Sequence, residues 1–367
     1  MQDGNYVAIY RRFRPETFDK VLGQKHIVNV LKGQITSDNI PHAFMFCGTR
    51  GTGKTTMARL LAKGINCLAD ENKPCGVCEN CLSIQNGTFV DVIEIDAASN
   101  NGVNDIRRIN DIVIYPPTVG RKRIFIIDEA HMLTAAAANA FLKTLEEPPD
   151  NTVFILATTE PSKLPATIRS RCLLFEFKRV SAAVITDGLK DIVHELGIDS
   201  SEDALALIAS NADGSVRDAL SILEQCISND INTLDREDVL EAIGSVGDEI
   251  IAKLSRDVYE GNTGSALLLL NEALKAGREI RRIMVDWLDY YRSALLIKYL
   301  DKPQNILNRS IENIEEIRVS TEDVPESHIT QNILKLSKLY NESRWSSHPG
   351  ILMEMAIIEM SEQGEVS

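Results

Sequence analysis

The run Phe46-Cys47-Gly48-Thr49-Arg50-Gly51-Thr52-Gly53-Lys54-Thr55-Thr56 has the spacing G-x-x-x-x-G-K-T, which is that of a loop built to wrap phosphates. Each residue type there has a physical reason. Glycine lets the backbone curl until several N–H groups point at one anion. A helix opening at that point adds its partial positive N-terminus. Lys54 supplies a mobile cation for outer phosphates, and the Thr55 hydroxyl is a ligand for Mg2+. Gly48, Thr49, Arg50, Gly51, Thr52, Gly53, Lys54, Thr55 and Thr56 are therefore expected to hold a nucleotide.

A second group lies downstream, where Asp128 and Glu129 follow the apolar run Ile124-Phe125-Ile126-Ile127. Such a run reads as a central parallel strand covered on both faces. Two adjacent acids at its end are costly unless paired or bound to metal. Asp128 is expected to hold Mg2+, directly or through water. Glu129 is expected to orient and deprotonate an attacking water.

A third group is Cys67, Cys75, Cys78 and Cys81, spaced C-x7-C-x2-C-x2-C. Four thiolates in a reducing compartment suit tetrahedral Zn2+ in a closed, structural site. Three cysteines at this spacing also occur around iron–sulfur centres, so that reading stays open beside the preferred zinc. The zinc module covers about residues 64–84, between the phosphate-loop helix and the next strand. Cys47, Cys172 and Cys226 stand alone and read as buried thiols.

The elements that must position these groups follow from pattern. Strand-like runs recur at Ala43–Phe46, Val90–Ile95, Ile124–Ile127, Val153–Ala157 and Leu173–Phe177, with helical stretches between most of them. That alternation predicts an α/β domain with a largely parallel sheet. Thr134 is a cap residue for a helix from Ala135 to Leu145, and Pro148-Pro149 ends it. From about Ser181 the strands are expected to stop. Ile185–Leu196, Glu202–Ala209, Val216–Ile227 and Glu237–Ile243 read as amphipathic helices, and Gly244–Gly247 as a linker. Beyond it, Ile280, Ile283, Met284, Trp287, Leu288, Tyr291, Leu295 and Tyr299 recur at helical steps, and Ile351–Met360 forms another apolar helix. Such faces suit a bundle core or a surface between subunits. The division predicted is 1–179, 180–243 and 244–367.

Composition sets limits. With 39 basic and 53 acidic residues among 367, the net charge is −14. That argues against coating nucleic acid by bulk charge, though not against a local basic surface. Basic clusters fall at Arg11, Arg12 and Arg14, at Arg107 and Arg108, and at Arg121, Lys122 and Arg123. Acid-rich turns are read at 199–203, 235–238 and 312–316. No stretch approaches the ~20 apolar residues of a membrane span. Met1–Tyr6 lacks the basic and apolar parts of a signal peptide, so a cytoplasmic protein without membrane partners is expected. No internal repeat or low-complexity tract is visible.

The chain resembles the clamp-loader ATPases of the AAA+ superfamily, the gamma/tau subunits of bacterial DNA polymerase III. The resemblance covers nearly the whole chain. It rests on Tyr10-Arg11-Arg12-Phe13-Arg14-Pro15, Val21-Leu22-Gly23-Gln24, the phosphate loop and the cysteine cluster just after it. It continues through Glu94–Ser99, Asp128–Leu133, Leu142–Pro149, Ala157–Pro161, Ser170-Arg171-Cys172 and Gly214–Asp218. The family implies an AAA+ ATP-binding domain with a zinc insert, a small helical lid and a C-terminal helical collar for oligomerisation. It implies ATP, Mg2+ and Zn2+ as cofactors. By the same resemblance, Thr159 is a sensor at the strand end beside the acidic pair. Arg171 is an arginine finger acting on ATP held by a neighbouring subunit. Arg217 senses the γ-phosphate from the lid, and Arg11 and Val21 belong to the adenine wall. Arg107 and Arg108 match a region that tracks a DNA backbone.

The function so implied is an ATP-driven motor that opens a sliding clamp and loads it on primed DNA without sequence specificity. Its partners would be delta and delta-prime subunits, further copies of itself, and the clamp. Two rivals are a non-hydrolysing scaffold subunit like delta-prime and another DNA-remodelling AAA+ ATPase of helicase type. The intact Lys54, Thr55, Asp128 and Glu129 favour the motor over the scaffold.

Overall fold

The run Ile124–Ile127 is the middle of a strand in which every residue but the last is buried. Its side chains alternate faces: Ile124 and Ile126 join one apolar cluster, and Phe125 and Ile127 the other. A strand needs apolar residues at consecutive positions when both faces are covered, which is why this run has no polar interruption.

The computed structural model describes residues 7–227, 232–307, 309 and 311–362. The Met1–Tyr6 segment, read above as lacking a signal peptide, lies outside the described residues. Five strands form one sheet: β1 (Ala43–Gly48), β2 (Val92–Asp96), β3 (Arg123–Asp128), β4 (Thr152–Thr158) and β5 (Leu173–Phe177). Their order is β2-β3-β4-β1-β5 and all neighbours run parallel.

The helices, in chain order, are α1 (Ile9–Arg12), α2 (Lys25–Thr36), α3 (Lys54–Asn66), α4 (Glu79–Gln85), α5 (Val103–Val113), α6 (Ala135–Glu146) and α7 (Ala166–Arg169). They continue with α8 (Ala182–Leu196), α9 (Glu202–Asn211), α10 (Val216–Cys226) and α11 (Arg236–Ala242). The last are α12 (Asp248–Tyr259), α13 (Thr263–Lys275), α14 (Ile280–Tyr299), α15 (Ile311–Ser320), α16 (Glu326–Ser343) and α17 (Pro349–Ser361). Residues of α2 and α3 cover one face of the sheet, against Phe44, Phe46, Ile124 and Val153. Residues of α5 and α6 cover the other, where Phe154 stacks on Phe125 at 5.5 Å and meets Phe141 edge-on at 5.1 Å. Thr134 caps α6 as expected, its hydroxyl accepting the Ala137 N–H at 3.2 Å.

The chain divides into two compact units, Met1–Ile192 with Asn211–Ser221, and Val193–Ser210 with Ile222–Ser367. The second has its own core around Trp287, Tyr290 and Tyr291. Inside it the Trp287 indole N–H donates to Ser255 Oγ at 2.7 Å. The expected apolar face of α14 is inside this core except for Tyr299, which is 69% exposed. Among the described residues no helix is long and apolar enough to cross a membrane.

Several sequence expectations need correction. The strand read from Val90 begins at Val92, because the Asp91 carboxylate is recruited to anchor the loop 118–120. Strands do not stop after Ser181, since Asp199–Ser200 pairs in parallel with Thr233–Leu234. The acidic stretch 312–316 is helical, within α15. At Asp235 the acidic stretch starts α11, with the Asp238 carboxylate accepting the Asp235 N–H. The 244–247 linker is pinned, since Asp286 accepts the Ser245 hydroxyl at 2.8 Å and the Val246 N–H at 3.1 Å. Arg123 is no surface cation but a buried partner of Asp91.

Candidate functional site

β1 delivers the glycine-rich loop. At Gly48, φ is +148° and a β-carbon would sit 2.4 Å from the Phe177 carbonyl oxygen, so the end of β5 leaves no room for one. At Gly51, φ is +76° and a β-carbon would fall 1.8 Å from Ser215 Oγ. The Gly51 carbonyl also accepts the Val216 N–H at 3.1 Å, which ties the loop to the start of α10. Gly53 precedes α3 and offers no side-chain cap. The first-turn N–H groups of a helix have no partner within it, so this end suits an anion. Lys54 is 6% exposed. Its ammonium donates to the carbonyls of Gly48 at 2.9 Å and Thr49 at 2.8 Å. Burial lowers its pKa, while Glu129 and Asp128 pull the other way. The Thr52 hydroxyl braces the loop by donating to the Thr49 carbonyl at 2.8 Å.

β3 delivers the acids. The Thr55 hydroxyl donates to Asp128 Oδ2 at 2.8 Å, bringing together two oxygens 73 positions apart. Two hard oxygen donors at one point fit Mg2+, which takes few protein ligands. Glu129 adopts φ +47°, the left-handed region that a non-glycine residue rarely enters. Its N–H is held by Asp128 Oδ1 at 3.0 Å. Its side chain lines an open cleft of about 490 Å³, shared with Thr49, Arg50, Ala98, His131, Met132 and Thr159. The Thr159 hydroxyl faces Glu129 Oε2 at 3.4 Å. Phosphate loop, acidic pair and Thr159 thus meet at the C-terminal ends of β1, β3 and β4.

The remaining expected residues lie as follows. The guanidinium of Arg217 sits 4.8 Å from the Tyr10 ring centre, and that of Arg11 sits 5.8 Å from the same ring. The Arg217 β-carbon is 3.4 Å from the place a Gly51 side chain would take. Val21 is partly buried against the core under α2 and α3. Arg171 does not line the cleft; it donates to the Thr167 carbonyl at 2.8 Å and to Glu146 at 2.7 Å. Arg107 and Arg108 are exposed on α5.

The thiol sulfurs of Cys67, Cys75, Cys78 and Cys81 all lie within 4.8 Å of one another. Tetrahedral bonds of ~2.3 Å put sulfurs about 3.8 Å apart, so the cluster fits a Zn2+ ion. The N–H groups of Cys75, Cys78 and Cys81 each point at a cysteine sulfur at 3.4 Å. Burial alone would raise the Cys78 thiol, but the Leu68 and Cys81 N–H groups bring it down to about 6. By contrast, burial pushes Cys47 and Cys226 up to about 11 and Cys172 to about 12, which keeps these thiols protonated.

Three family models match the chain in succession. One described as "DNA polymerase III, delta subunit" matches residues 23–181. One described as "DNA polymerase III clamp loader subunit, ATPase lid domain" matches 184–229. "DNA polymerase III subunits gamma and tau domain III" matches 234–365. The DNA polymerase III subunit gamma of Buchnera aphidicola subsp. Schizaphis graminum is 39% identical, over 82% of this chain and 83% of that protein. The chain belongs to the DNA polymerase III gamma/tau family. The subunit tau of Bacillus subtilis is 42% identical over 99% of this chain and 64% of its own length. That of Escherichia coli is 44% identical over 77% of this chain and 44% of its own. The chain therefore spans less than two thirds of these tau relatives. The parallel α/β sheet expected of the family is present, and the segments after it match the lid and domain III models.

Within this gamma/tau chain, five residues have roles that the sequence does not mark. Gln24 is 6% exposed, and its amide donates to the Lys178 carbonyl at 2.6 Å and accepts the Lys178 N–H at 3.2 Å, locking the Val21–Gln24 segment to the end of β5. Asp91 looks like part of a strand in the sequence but anchors the loop 118–120. His131, Ala98 and Met132 line the cleft, which their sequence positions do not predict. Its place at the end of the run Val21-Leu22-Gly23-Gln24 is the one signal the sequence offers for Gln24; nothing local marks His131.

Proposed function

We propose that this chain is an ATP-driven motor subunit of the bacterial clamp loader, which opens the sliding clamp and loads it on primed DNA. The observation that carries the reading is the meeting of Thr55 with Asp128 beside the cleft that Glu129 and Thr159 share with the phosphate loop. ATP is the substrate. Gly48 to Thr56 would cradle its phosphates, with Lys54 turning from the loop carbonyls to the outer ones. Thr55 and Asp128 would hold Mg2+, which when bound neutralises phosphate charge. Glu129 takes the proton of the attacking water, and Thr159 holds that water in place. Arg11 and Val21 wall the adenine. Arg217 leaves the Tyr10 ring to reach the γ-phosphate of its own subunit's ATP. Arg171, on a segment outside the cleft, is offered to ATP on a neighbouring subunit. The four cysteines hold a structural Zn2+.

In this reading residues 1–179 form the ATP-binding domain, 180–243 the lid and 244–367 the collar that joins subunits. Partners are delta, delta-prime, copies of this chain, the clamp and primed DNA, the last met through phosphates by Arg107 and Arg108. The compartment is the cytoplasm. The test is ATP turnover with and without companion subunits, clamp and primed DNA, on wild type, Lys54→Ala and Arg171→Ala. The expected result is a sharp rise in wild-type turnover, no turnover in Lys54→Ala, and loss of the stimulated part in Arg171→Ala. No stimulation of the wild type, or clamp loading by Lys54→Ala, would sink the motor reading.

A further inference from the structure

His131 follows the acidic pair by two residues, and its side chain is only 8% exposed. It stands among three oxygen groups. Nδ1 lies 3.1 Å from Thr158 Oγ1 and 3.4 Å from Glu129 Oε2, and Nε2 lies 3.7 Å from Glu160 Oε1. Thr158 is fully buried, and its hydroxyl oxygen already accepts the Glu160 N–H at 3.0 Å. A neutral imidazole carries one N–H. Placed on Nδ1, it faces Thr158 and Glu129; placed on Nε2, it faces Glu160. In either tautomer the ring bridges the turn after β3 to the end of β4.

That bridge matters because of what each side carries. The turn bears Glu129 in a strained backbone conformation, at φ +47°. Strain of this kind costs about 1–3 kcal/mol and persists only where surrounding groups hold it. The β4 end bears Thr159, whose contact with Glu129 is long at 3.4 Å. A hydrogen bond that long is weak and cannot by itself fix the two groups.

We propose that His131 is a positioning residue for ATP hydrolysis: it fixes the turn carrying Glu129 against the strand end carrying Thr159. Glu160 steadies the far side of the ring, and Lys163 in turn holds Glu160 at 2.8 Å. This rests on the reading that Glu129 activates water. A misplacement of ~1 Å at such a site costs up to about 100-fold in rate, while groups that grip the nucleotide itself are untouched.

The experiment compares wild type, His131→Ala, His131→Gln and Glu160→Gln, with Glu129→Gln as control, in the assembled complex with clamp and primed DNA. It measures kcat, KM for ATP, affinity for a fluorescent ATP analogue, and the thermal midpoint. His131→Ala is expected to lower kcat by about tenfold or more, with analogue affinity within about twofold. His131→Gln, which keeps a donor and an acceptor at this place, is expected to recover most of the loss. Glu160→Gln is expected to lower kcat by about two- to fivefold. The inference is overturned if His131→Ala keeps kcat within about twofold of wild type. It is also overturned if kcat and analogue affinity fall together, or if His131→Ala unfolds while Glu160→Gln turns over normally. Full turnover by Glu129→Gln is a separate result: it removes the base role on which the inference stands.

Discussion

Strand β3 begins and ends on a charged residue, and its two ends are satisfied in opposite ways. At the start, Arg123 meets Asp91 at 2.9 Å, with side chains 8% and 0% exposed. Asp91 accepts the N–H groups of Thr118, Val119 and Gly120 as well. Arg123 spends its remaining donors on the carbonyls of Ile112 and Tyr115. At the other end, Asp128 takes the Thr55 hydroxyl and the Glu129 N–H, while the Glu129 carboxylate meets Thr159 and His131 at a long 3.4 Å each. A carboxylate saturated by protein donors can only hold the fold together. One left with spare lone pairs on an open cleft can bind a cation or take a proton.

The comparison can be broken by substitution at each end. The largest effect is expected at the saturated end. Asp91→Ala leaves Arg123 buried without its carboxylate and three N–H groups without an acceptor, so urea unfolding should show a loss of about 3–5 kcal/mol. A loss below about 1 kcal/mol would put Asp91 among ordinary surface acids. At the open end, Glu129→Gln should change stability by less than about 1 kcal/mol. It should keep nucleotide binding and lower turnover by about 100-fold or more, read from steady-state ATP hydrolysis. Unchanged hydrolysis would remove Glu129 from the base role.

The smallest effect sharpens the contrast through pH. Burial alone would raise the Asp91 carboxyl, but the Gly120, Val119 and Thr118 N–H groups and Arg123 outweigh it and hold it below its ordinary value. A depressed folded pKa gives stability that is complete above the unfolded value of about 3.9 and lost as pH falls through the folded one. The stability gap between wild type and Asp91→Asn should therefore stay constant from about pH 8 to about pH 5 and narrow only below about pH 4. Narrowing in the neutral range would mean that some other group carries the linkage.

What was legible in the sequence is what local spacing encodes. The phosphate loop needs glycine, lysine and threonine within a few residues, and the strand before it and the helix after it are visible in the same stretch. The cysteine cluster is equally local. Other features were hidden because their partners are distant: Gln24 bonds Lys178, 154 positions on, and His131 meets Thr158, 27 positions on. Val90 looked like strand because it is apolar, yet it is 60% exposed, and Asp91 beside it belongs to a loop anchor. Tyr299 kept the helical spacing of its neighbours but emerges past the end of the core they share.

The order of residues along the chain determined the chemistry available: a curled loop for phosphates, an acidic pair at a strand end, four thiols for one ion. Backbone preference and hydrophobic period act over a few residues, so sequence alone suffices for these. Which acids keep spare valence was decided only by tertiary structure. Asp91 and Asp128 both stand at strand ends, and the difference lies in what the fold brings to each: three loop N–H groups and a guanidinium to one, a single hydroxyl to the other.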